Sequence, residues 1–207
     1  MRYVIEMARR VDPEKKPALL ERIIDYLVDK PLSALSFRTL AAALEVSTFT
    51  LVYHFGTRAE LVRDIIAAIA TRRRGFEDVL TLDELTLEQY LTGLRHSFEA
   101  SLTPRNKALQ RLEFEAQMLE SLEPTSDAVT RAVHENLQDS GREALEALGL
   151  TTEDATVESR LFIDTFYGIQ VGLVVNGDDA RAAAGFRRAL DQHRDRILAL
   201  LPAPPAR

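Results

Sequence analysis

Apolar residues recur along this chain with the periodicity of α-helices rather than of β-strands. The first periodic segment begins near Asp12-Pro13 and is expected to end before Pro31, because proline cannot continue a helix. Its apolar positions, spaced at i, i+1, i+4 and i+5, are Leu19, Leu20, Ile23, Ile24, Leu27 and Val28. This spacing lines one face of a helix and predicts that the face packs into a core.

Three further helices are predicted shortly after it. Ser36 is placed to cap the first of them, and Ser47 to cap the second, which ends around Phe55-Gly56. The run Thr57-Arg58-Ala59-Glu60 has the pattern of a capping box, in which a threonine hydroxyl and a glutamate carboxylate each accept a hydrogen bond from a backbone amide. This capping box predicts the start of the third helix.

Longer helical segments fill the rest of the chain. They are predicted at residues 87–102, 105–122, 126–148, 153–175 and 179–201, and proline, glycine or an Asn-Gly pair follows each one. The apolar run at 161–175 is too long and too poor in turn residues for a strand. The pattern predicts an all-α protein of about nine helices, with domains at residues 1–75 and 76–207.

Residues 36–55 are predicted to form a helix-turn-helix, two short helices joined by a tight turn. Apolar residues that can fill the space between the two helices are Leu40, Ala41, Leu44, Val46 and Leu51. The outer face of the second helix then holds Thr48, Phe49, Thr50, Tyr53 and His54. Hydroxyls and imidazoles can donate to phosphates, and an aromatic ring or a threonine methyl can contact a thymine methyl.

The local charge around this motif agrees with a nucleic-acid partner, although the net charge of the chain is -6. Residues 1–75 hold 13 Lys or Arg against 9 Asp or Glu, and no acidic residue occurs between Val46 and Arg58. Arg38 and Thr39, near the start of one helix, and Arg58, at the start of another, lie where helix N-termini favour phosphate oxygens. Salt screens electrostatic interactions beyond roughly 8 to 10 Å. The local charge near the motif, rather than the net charge of the chain, therefore determines whether it can attract DNA phosphates.

With these residues identified, LSFRTLAAALEVSTFTLVYHFGTRAEL resembles the DNA-binding signature of the TetR family of bacterial transcriptional regulators. The resemblance covers about residues 14–66 and is densest in LVYHF and the following Gly-Thr-Arg-x-Glu-Leu. It implies an N-terminal three-helix helix-turn-helix DNA-binding domain and a larger C-terminal helical domain for ligand binding and dimerisation. It also implies a repressor that binds a pseudo-palindromic operator as a homodimer and is released by a small hydrophobic ligand.

The resemblance assigns roles to residues of the motif. It implies that Tyr53, His54 and Arg58 contact phosphates, and that Thr48, Phe49 and Thr50 occupy base-reading positions. The predicted DNA-binding residues are Arg38, Thr39, Ser47, Thr48, Phe49, Thr50, Tyr53, His54 and Arg58. The chain departs from the family pattern at Glu45, where glycine is usual, and at Phe49, where a small residue is usual. A left-handed conformation at Glu45 would cost about 1 kcal/mol relative to glycine.

The C-terminal segments carry the remaining predictions that follow from the resemblance. Small and apolar residues on the last two long helices predict a dimer interface at Phe162, Gly168, Gly172, Phe186 and Leu190. Polar or aromatic residues that interrupt apolar helix faces predict a ligand pocket. These are Tyr90, Leu94, His96, Phe98, Phe114, Gln117, Met118, Asp164, Phe166, Tyr167 and Gln170. The alternative for the interface residues is packing within one subunit, and the alternative for the pocket residues is an ordinary core or surface position.

Other function classes find little support in the sequence. The four histidines are far apart, and no HExxH motif, glycine-rich phosphate loop or GxSxG elbow occurs, so we expect neither an enzyme nor a metal or other cofactor. The absence of cysteine, of a long apolar run and of a signal-peptide pattern predicts a cytoplasmic protein without a membrane partner. The alternative function is a helical ligand-binding or adaptor protein that does not bind DNA.

Overall fold

The computed structural model describes residues 15–73, 82–122 and 129–202. These residues form α-helices and two short 3-10 helices, at Leu32–Ala34 and Leu82–Glu84, so the all-α prediction is confirmed for them. The α-helices are α1 (Lys15–Leu27), α2 (Phe37–Leu44), α3 (Thr48–Phe55), α4 (Arg58–Arg73), α5 (Leu87–Ser101), α6 (Pro104–Leu122), α7 (Val129–Ala147), α8 (Thr152–Asn176) and α9 (Asp179–Leu200). The predicted helix starts near residues 12–13 and 126 lie outside the described residues.

Two compact units make up the described chain, and they divide between Ile65 and Ile66, inside α4. In the first unit, α2 packs against both α1 and α3. Its buried apolar side chains are Leu19, Ile23, Ile24, Leu27, Leu32, Leu35, Leu40, Ala41, Leu44, Leu51, Phe55, Leu61, Val62 and Ile65. The predicted apolar face of α1 therefore supplies one wall of this small core.

The second unit is built around α8, which packs against α6, α7 and α9. Its core contains a stack of aromatic rings, in which Phe98 and Phe186 lie parallel with centroids 4.2 Å apart. Phe166 meets Phe186 edge to face at 5.7 Å. Offset stacks and edge contacts of this kind contribute about 0.5 to 1.5 kcal/mol each beyond the area they bury.

A glycine permits the close approach of α7 and α8. A Cβ atom added at Gly141 would lie 2.4 Å from the Ser159 hydroxyl, which donates to the carbonyl oxygen of Gln138 at 2.8 Å. In contrast, a Cβ added at Gly168 would meet no atom within 4 Å. Gly141, rather than Gly168, is therefore the glycine at which two helices of this unit approach closely. Gly141 was not identified from the sequence.

Candidate functional site

The helix-turn-helix is formed as predicted, with both of its helices capped by serine. The Ser36 hydroxyl accepts from the backbone amide of Thr39 at 3.1 Å at the start of α2. The Ser47 hydroxyl accepts from the backbone amide of Thr50 at 3.0 Å at the start of α3. These bonds satisfy amides that have no partner within the helix, and they confirm the two predicted caps.

The turn between α2 and α3 contains the residue that the sequence marked as unusual. Glu45 adopts the left-handed conformation, with φ 54° and ψ 43°, as the C-terminal cap of α2. Arg22 of α1 stabilises the same helix end, because its Nη2 atom donates to the carbonyl oxygen of Leu44 at 2.6 Å. The turn keeps the geometry that a glycine would allow, although a side chain is present.

The predicted capping box at the start of α4 is present. The backbone amide of Thr57 donates to Glu60 Oε2 at 2.6 Å, and the amide of Glu60 donates to the Thr57 hydroxyl at 3.2 Å. These bonds lower the pKa of Glu60, the backbone bond from Thr57 having the larger effect. A Cβ atom at the preceding Gly56, where φ is 65°, would lie 2.3 Å from Glu60 Oε2, so this box requires glycine there.

Arg58 is held by the backbone of the segment that leads into α2. Its Nε atom donates to the carbonyl oxygen of Leu35 at 3.0 Å, and its Nη2 atom donates to that of Leu32 at 3.2 Å. Arg38, on the first turn of α2, is exposed. Arg58 therefore has a structural role in addition to the phosphate contact that the sequence predicts for it.

An aromatic pair dominates the exposed face of α3. The Phe49 side chain is 78% exposed and Tyr53 is 56% exposed, and their rings stack with centroids 6.2 Å apart. The imidazole of His54 meets the Tyr53 ring edge to face at 5.2 Å. Thr48 is exposed beside them. Of the residues predicted to contact DNA, Thr48, Phe49, Thr50, Tyr53 and His54 lie on α3 and Ser47 caps it, whereas Arg38 and Thr39 lie on α2 and Arg58 begins α4.

A buried carboxylate lies between α6 and α8 in the second unit. Glu113 is 2% exposed, and its Oε1 atom accepts from the Tyr167 hydroxyl at 3.0 Å. Amide nitrogens of Gln117 and Gln110 lie 3.4 Å from its two oxygens. A buried charge of this kind is costly unless hydrogen bonds surround it, and these side chains provide them.

Aromatic and charged groups extend this site towards α7. The Tyr167 ring meets Phe114 edge to face at 6.1 Å and His134 at 5.2 Å. His134 Nε2 also lies 3.5 Å from Asp164 Oδ1. We refer to these residues together as the Glu113 cluster, which comprises Gln110, Glu113, Phe114, Gln117, His134, Asp164 and Tyr167.

A second buried polar group connects α5, α8 and α9. His193 is fully buried, with its Nε2 atom 3.1 Å from the Tyr90 hydroxyl and its ring stacked on Phe162 at 4.3 Å. Its Nδ1 atom makes no hydrogen bond and lies 3.5 Å from Glu158 Oε2, which accepts from Arg196 Nε at 2.7 Å. We refer to these five residues as the His193 network.

The surroundings of His193 and Tyr90 keep these two members of the network uncharged. Burial, with a smaller contribution from the Arg196 guanidinium, lowers the pKa of His193 to about 3. Burial and the Glu158 carboxylate raise the pKa of Tyr90. Since both groups are neutral over the ordinary pH range, the network is suited to hydrogen bonding rather than to ion pairing at the imidazole.

The predicted ligand-binding residues divide between several places. Those in the Glu113 cluster are Phe114, Gln117, Asp164 and Tyr167. Those in or against the aromatic core are Tyr90, Leu94, Phe98 and Phe166. His96 and Met118 are exposed, and Gln170 is buried. The structure therefore does not bring the whole set together, and four of its members share the Glu113 cluster.

The predicted dimer residues lie in two different environments. Phe162, Phe186 and Leu190 are buried inside a single chain, so they have almost no exposed area to offer a second copy. Gly168 is exposed and Gly172 is half-buried, on the outward side of α8. Apolar character alone did not distinguish the inward side of α8 and α9 from the outward side.

The outward side of α8 carries a regular row of exposed residues. Successive members of the row are four and three residues apart in turn. The row consists of Val157, Leu161, Asp164, Gly168, Val171 and Val175. Val175 is 74% exposed and Val157 is 59% exposed. Alternating steps of four and three are the spacing with which one helix packs along another.

Neither a metal centre nor a membrane span is found within the described residues. No group of three or more His, Asp or Glu side chains is placed there to hold a metal ion. No helix in the same part of the chain is both long and apolar enough to cross a lipid bilayer.

Comparison with known proteins identifies the fold. No protein-family model and no curated protein matches the sequence. A putative TetR-family transcriptional regulator from Mesorhizobium loti is similar in structure, with a TM-score of 0.69 and 18% identity, over 90% of this chain and 96% of that chain. Salmonella enterica GusR has a TM-score of 0.67 and 18% identity, over 93% of this chain and 98% of that chain.

The multidrug binding protein EbrR, in a complex with imidazole, is similar over 100% of both chains, with a TM-score of 0.61 and 20% identity. TetR-family regulators from Legionella pneumophila and Agrobacterium tumefaciens match as well. These similarities extend over both units of the described chain, and at identities of 16 to 20% they establish the fold alone. The chain therefore has the fold of the TetR-family transcriptional regulators.

Proposed function

We propose that this protein is a ligand-responsive transcriptional regulator that binds DNA through α3. The observation that carries the proposal is the exposed aromatic and hydroxyl face of α3, within a segment that has no acidic residue from Val46 to Arg58. A surface helix that serves only to pack into a core does not need to expose a stacked aromatic pair. Double-stranded DNA offers both the phosphates and the base edges that these side chains can contact.

In this proposal, α3 enters the major groove and α2 crosses the backbone. Tyr53 and His54 donate to phosphates, and Arg38 and Arg58 contribute charge near the starts of α2 and α4. Of the other predicted residues, Thr39, Ser47 and Thr50 already take part in the capping bonds of α2 and α3. We therefore expect them to position the two helices first and to contact DNA with their remaining hydrogen-bonding capacity.

The protein is proposed to act as a cytoplasmic homodimer. The row of exposed residues on α8 supports this, because two copies of a row with steps of four and three can pack together about a two-fold axis. Gly168, in the middle of the row, allows two backbones to approach closely. The dimer would place its two α3 helices in successive major grooves, so the operator is a pseudo-palindrome with half-sites about 34 Å apart.

The effector site is proposed at the Glu113 cluster. It combines a buried carboxylate with aromatic rings, a composition that suits a small hydrophobic ligand, neutral or cationic. The similar protein EbrR has been solved with imidazole and with proflavin, both of which are aromatic nitrogen compounds. The ligand would release the operator only if it binds more tightly to the dimer geometry in which the α3 helices are mis-spaced.

Selection of bound duplexes from a randomised DNA library tests the function. Enrichment of a palindrome by the purified protein supports a DNA-binding regulator, and the spacing of its half-sites tests the dimer. If a folded dimer enriches no sequence, the alternative of a ligand-binding or adaptor protein without DNA binding replaces the proposal. A Glu113→Gln variant that binds the enriched duplex normally but is no longer released by cationic aromatic compounds would support the effector site.

A further inference from the structure

The exposed side chains of α3 have an uncommon chemistry for a surface that reads bases. Thr48, Phe49, Val52 and Tyr53 are exposed, and His54 is half-buried. The helix contains no Arg, Lys, Asn or Gln, which are the side chains that form paired hydrogen bonds with guanine or adenine. Recognition by this helix must therefore depend largely on other contacts.

The polar groups that flank this surface are already engaged within the protein. The hydroxyls of Ser47 and Thr50 lie 2.8 Å apart, and the Ser47 hydroxyl also caps α3. The guanidinium of Arg58 donates to the carbonyl oxygens of Leu35 and Leu32. With these groups engaged, the exposed surface of α3 presents the Phe49 and Tyr53 rings together with the hydroxyls of Thr48 and Tyr53.

The Phe49 ring is the most exposed of the large apolar side chains on this face. It is 78% exposed, and the Tyr53 ring stacks against it with an angle of 24° between the planes. The stack restricts the orientation of the Phe49 ring before any partner binds. In the major groove, thymine alone among the four bases presents an apolar group, its C5 methyl.

We propose that Phe49, oriented by Tyr53, reads the C5 methyl group of a thymine in each operator half-site. This inference rests on the proposed DNA-binding function and specifies how its specificity arises. The absence of acidic residues between Val46 and Arg58 allows the ring to approach the phosphate-lined groove without like-charge repulsion. The recognised position is a T·A pair, and its methyl group is the feature that is read.

The test uses the duplex enriched by selection, with each thymine of a half-site replaced in turn by deoxyuridine. This replacement removes only the methyl group and keeps the base pair. For the unmodified protein, we expect the affinity to fall about fourfold for each methyl group that Phe49 contacts. The Phe49→Ala variant should bind the thymine duplex more weakly and should no longer distinguish thymine from uracil at that position.

Two matched variants separate the ring from general effects on the helix. Phe49→Leu keeps an apolar side chain and should retain part of the preference for thymine. Val52→Ala shortens the neighbouring exposed apolar residue and should leave the thymine preference at the Phe49 position unchanged. Because Phe49 and Val52 are both exposed, we expect all three variants to fold, and thermal unfolding checks this directly.

The outcomes distinguish this inference from the function on which it rests. If no duplex is enriched, both the function and the methyl contact are refuted. If a duplex binds equally well with uracil at every position, methyl reading is refuted while the DNA-binding function stands. If Phe49→Ala keeps the full preference for thymine, another residue reads the methyl group and the role of Phe49 is refuted. A preference lost only in Phe49→Ala supports the proposal.

Discussion

The Nε atom of Arg58, the first residue of α4, donates to the carbonyl oxygen of Leu35, just before α2, at a distance of 3.0 Å. A second bond from Nη2 reaches the carbonyl oxygen of Leu32 at 3.2 Å. Together they connect two segments that are more than twenty positions apart in the sequence. Arg58 was predicted to contact a DNA phosphate. These bonds show that it also holds the segment before α2 in place.

Removal of this arginine should destabilise the protein. Because Arg58→Ala leaves two partly buried carbonyl oxygens without their charged donor, we expect the free energy of unfolding to fall by about 1 to 3 kcal/mol. Arg38→Ala, which removes an exposed arginine of α2, should change it by less than about 0.5 kcal/mol. Urea denaturation of the two variants measures the difference. Equal stabilities would mean that the Arg58 bonds contribute nothing to folding.

The left-handed turn at Glu45 predicts a substitution that stabilises the protein. Glu45→Gly removes the steric cost of a side chain at φ 54°, so the free energy of unfolding should rise by about 1 kcal/mol. Ala42→Gly, at an exposed helical position of α2, should instead lower it by roughly 0.5 to 1 kcal/mol. Thermal unfolding of both variants compares the effect of glycine on stability at a left-handed position, 45, and at a helical position, 42. A loss of stability in Glu45→Gly would contradict the account of the turn.

The His193 network predicts a dependence of stability on pH. The pKa of His193 is about 3 in the folded protein, whereas an unfolded histidine has a pKa of about 6.5. Between these values the unfolded chain binds a proton that the folded chain does not. The contribution of His193 is therefore complete above pH 6.5 and is lost as the pH falls, at about 1.4 kcal/mol per pH unit.

The measurement is the free energy of unfolding from pH 7 to pH 4.5, for the protein and for His193→Gln. The variant has no titrating group at this position. The slope of its unfolding free energy against pH should therefore be smaller by the equivalent of about one proton, or about 1.4 kcal/mol per pH unit. Other histidines and carboxylates contribute to both slopes and cancel in the comparison. Identical slopes would mean that His193 is protonated in the folded protein.

The proposed dimer predicts that a charge on the outward side of α8 separates the subunits. Val171→Glu places a carboxylate near its own symmetry mate, so the dissociation constant of the dimer should rise at least thirtyfold, or about 2 kcal/mol. Met118→Glu, at an exposed apolar position on α6, is the matched control and should leave the dimer intact. Sedimentation equilibrium measures both. A dimer unaffected by Val171→Glu would exclude this row as the interface.

Local sequence signals were sufficient to predict most of the fold. Apolar spacing located the helices, and serine and threonine caps located the starts of α2, α3 and α4, because these bonds join residues only three positions apart. The short 3-10 helix at Leu32–Ala34 was not predicted. The carbonyl oxygen of its first residue, Leu32, accepts a hydrogen bond from Arg58, which is remote in sequence, so no local pattern indicated this contact.

Contacts between distant helices were the part that the sequence could not predict. Tyr90 and His193 meet across 103 positions, and Glu113 and Tyr167 across 54, so their pairing depends on how the helices pack. One signal was nevertheless present. Glu113 has apolar Leu109 and Ala116 four and three positions away, and Glu158 has Ala155 and Phe162 three and four positions away, which indicates carboxylates on inward-facing helix sides.

The central claim is that the helix-turn-helix binds DNA through phosphates and bases. Its most direct test is the affinity for the enriched duplex as a function of salt concentration, for the protein and for Arg38→Ala. We expect the logarithm of the affinity to fall linearly with that of the salt concentration, and the slope to decrease by about two in a dimer that has lost two phosphate contacts. An affinity that does not depend on salt, or a slope unchanged in Arg38→Ala, would contradict this assignment of the DNA-binding surface.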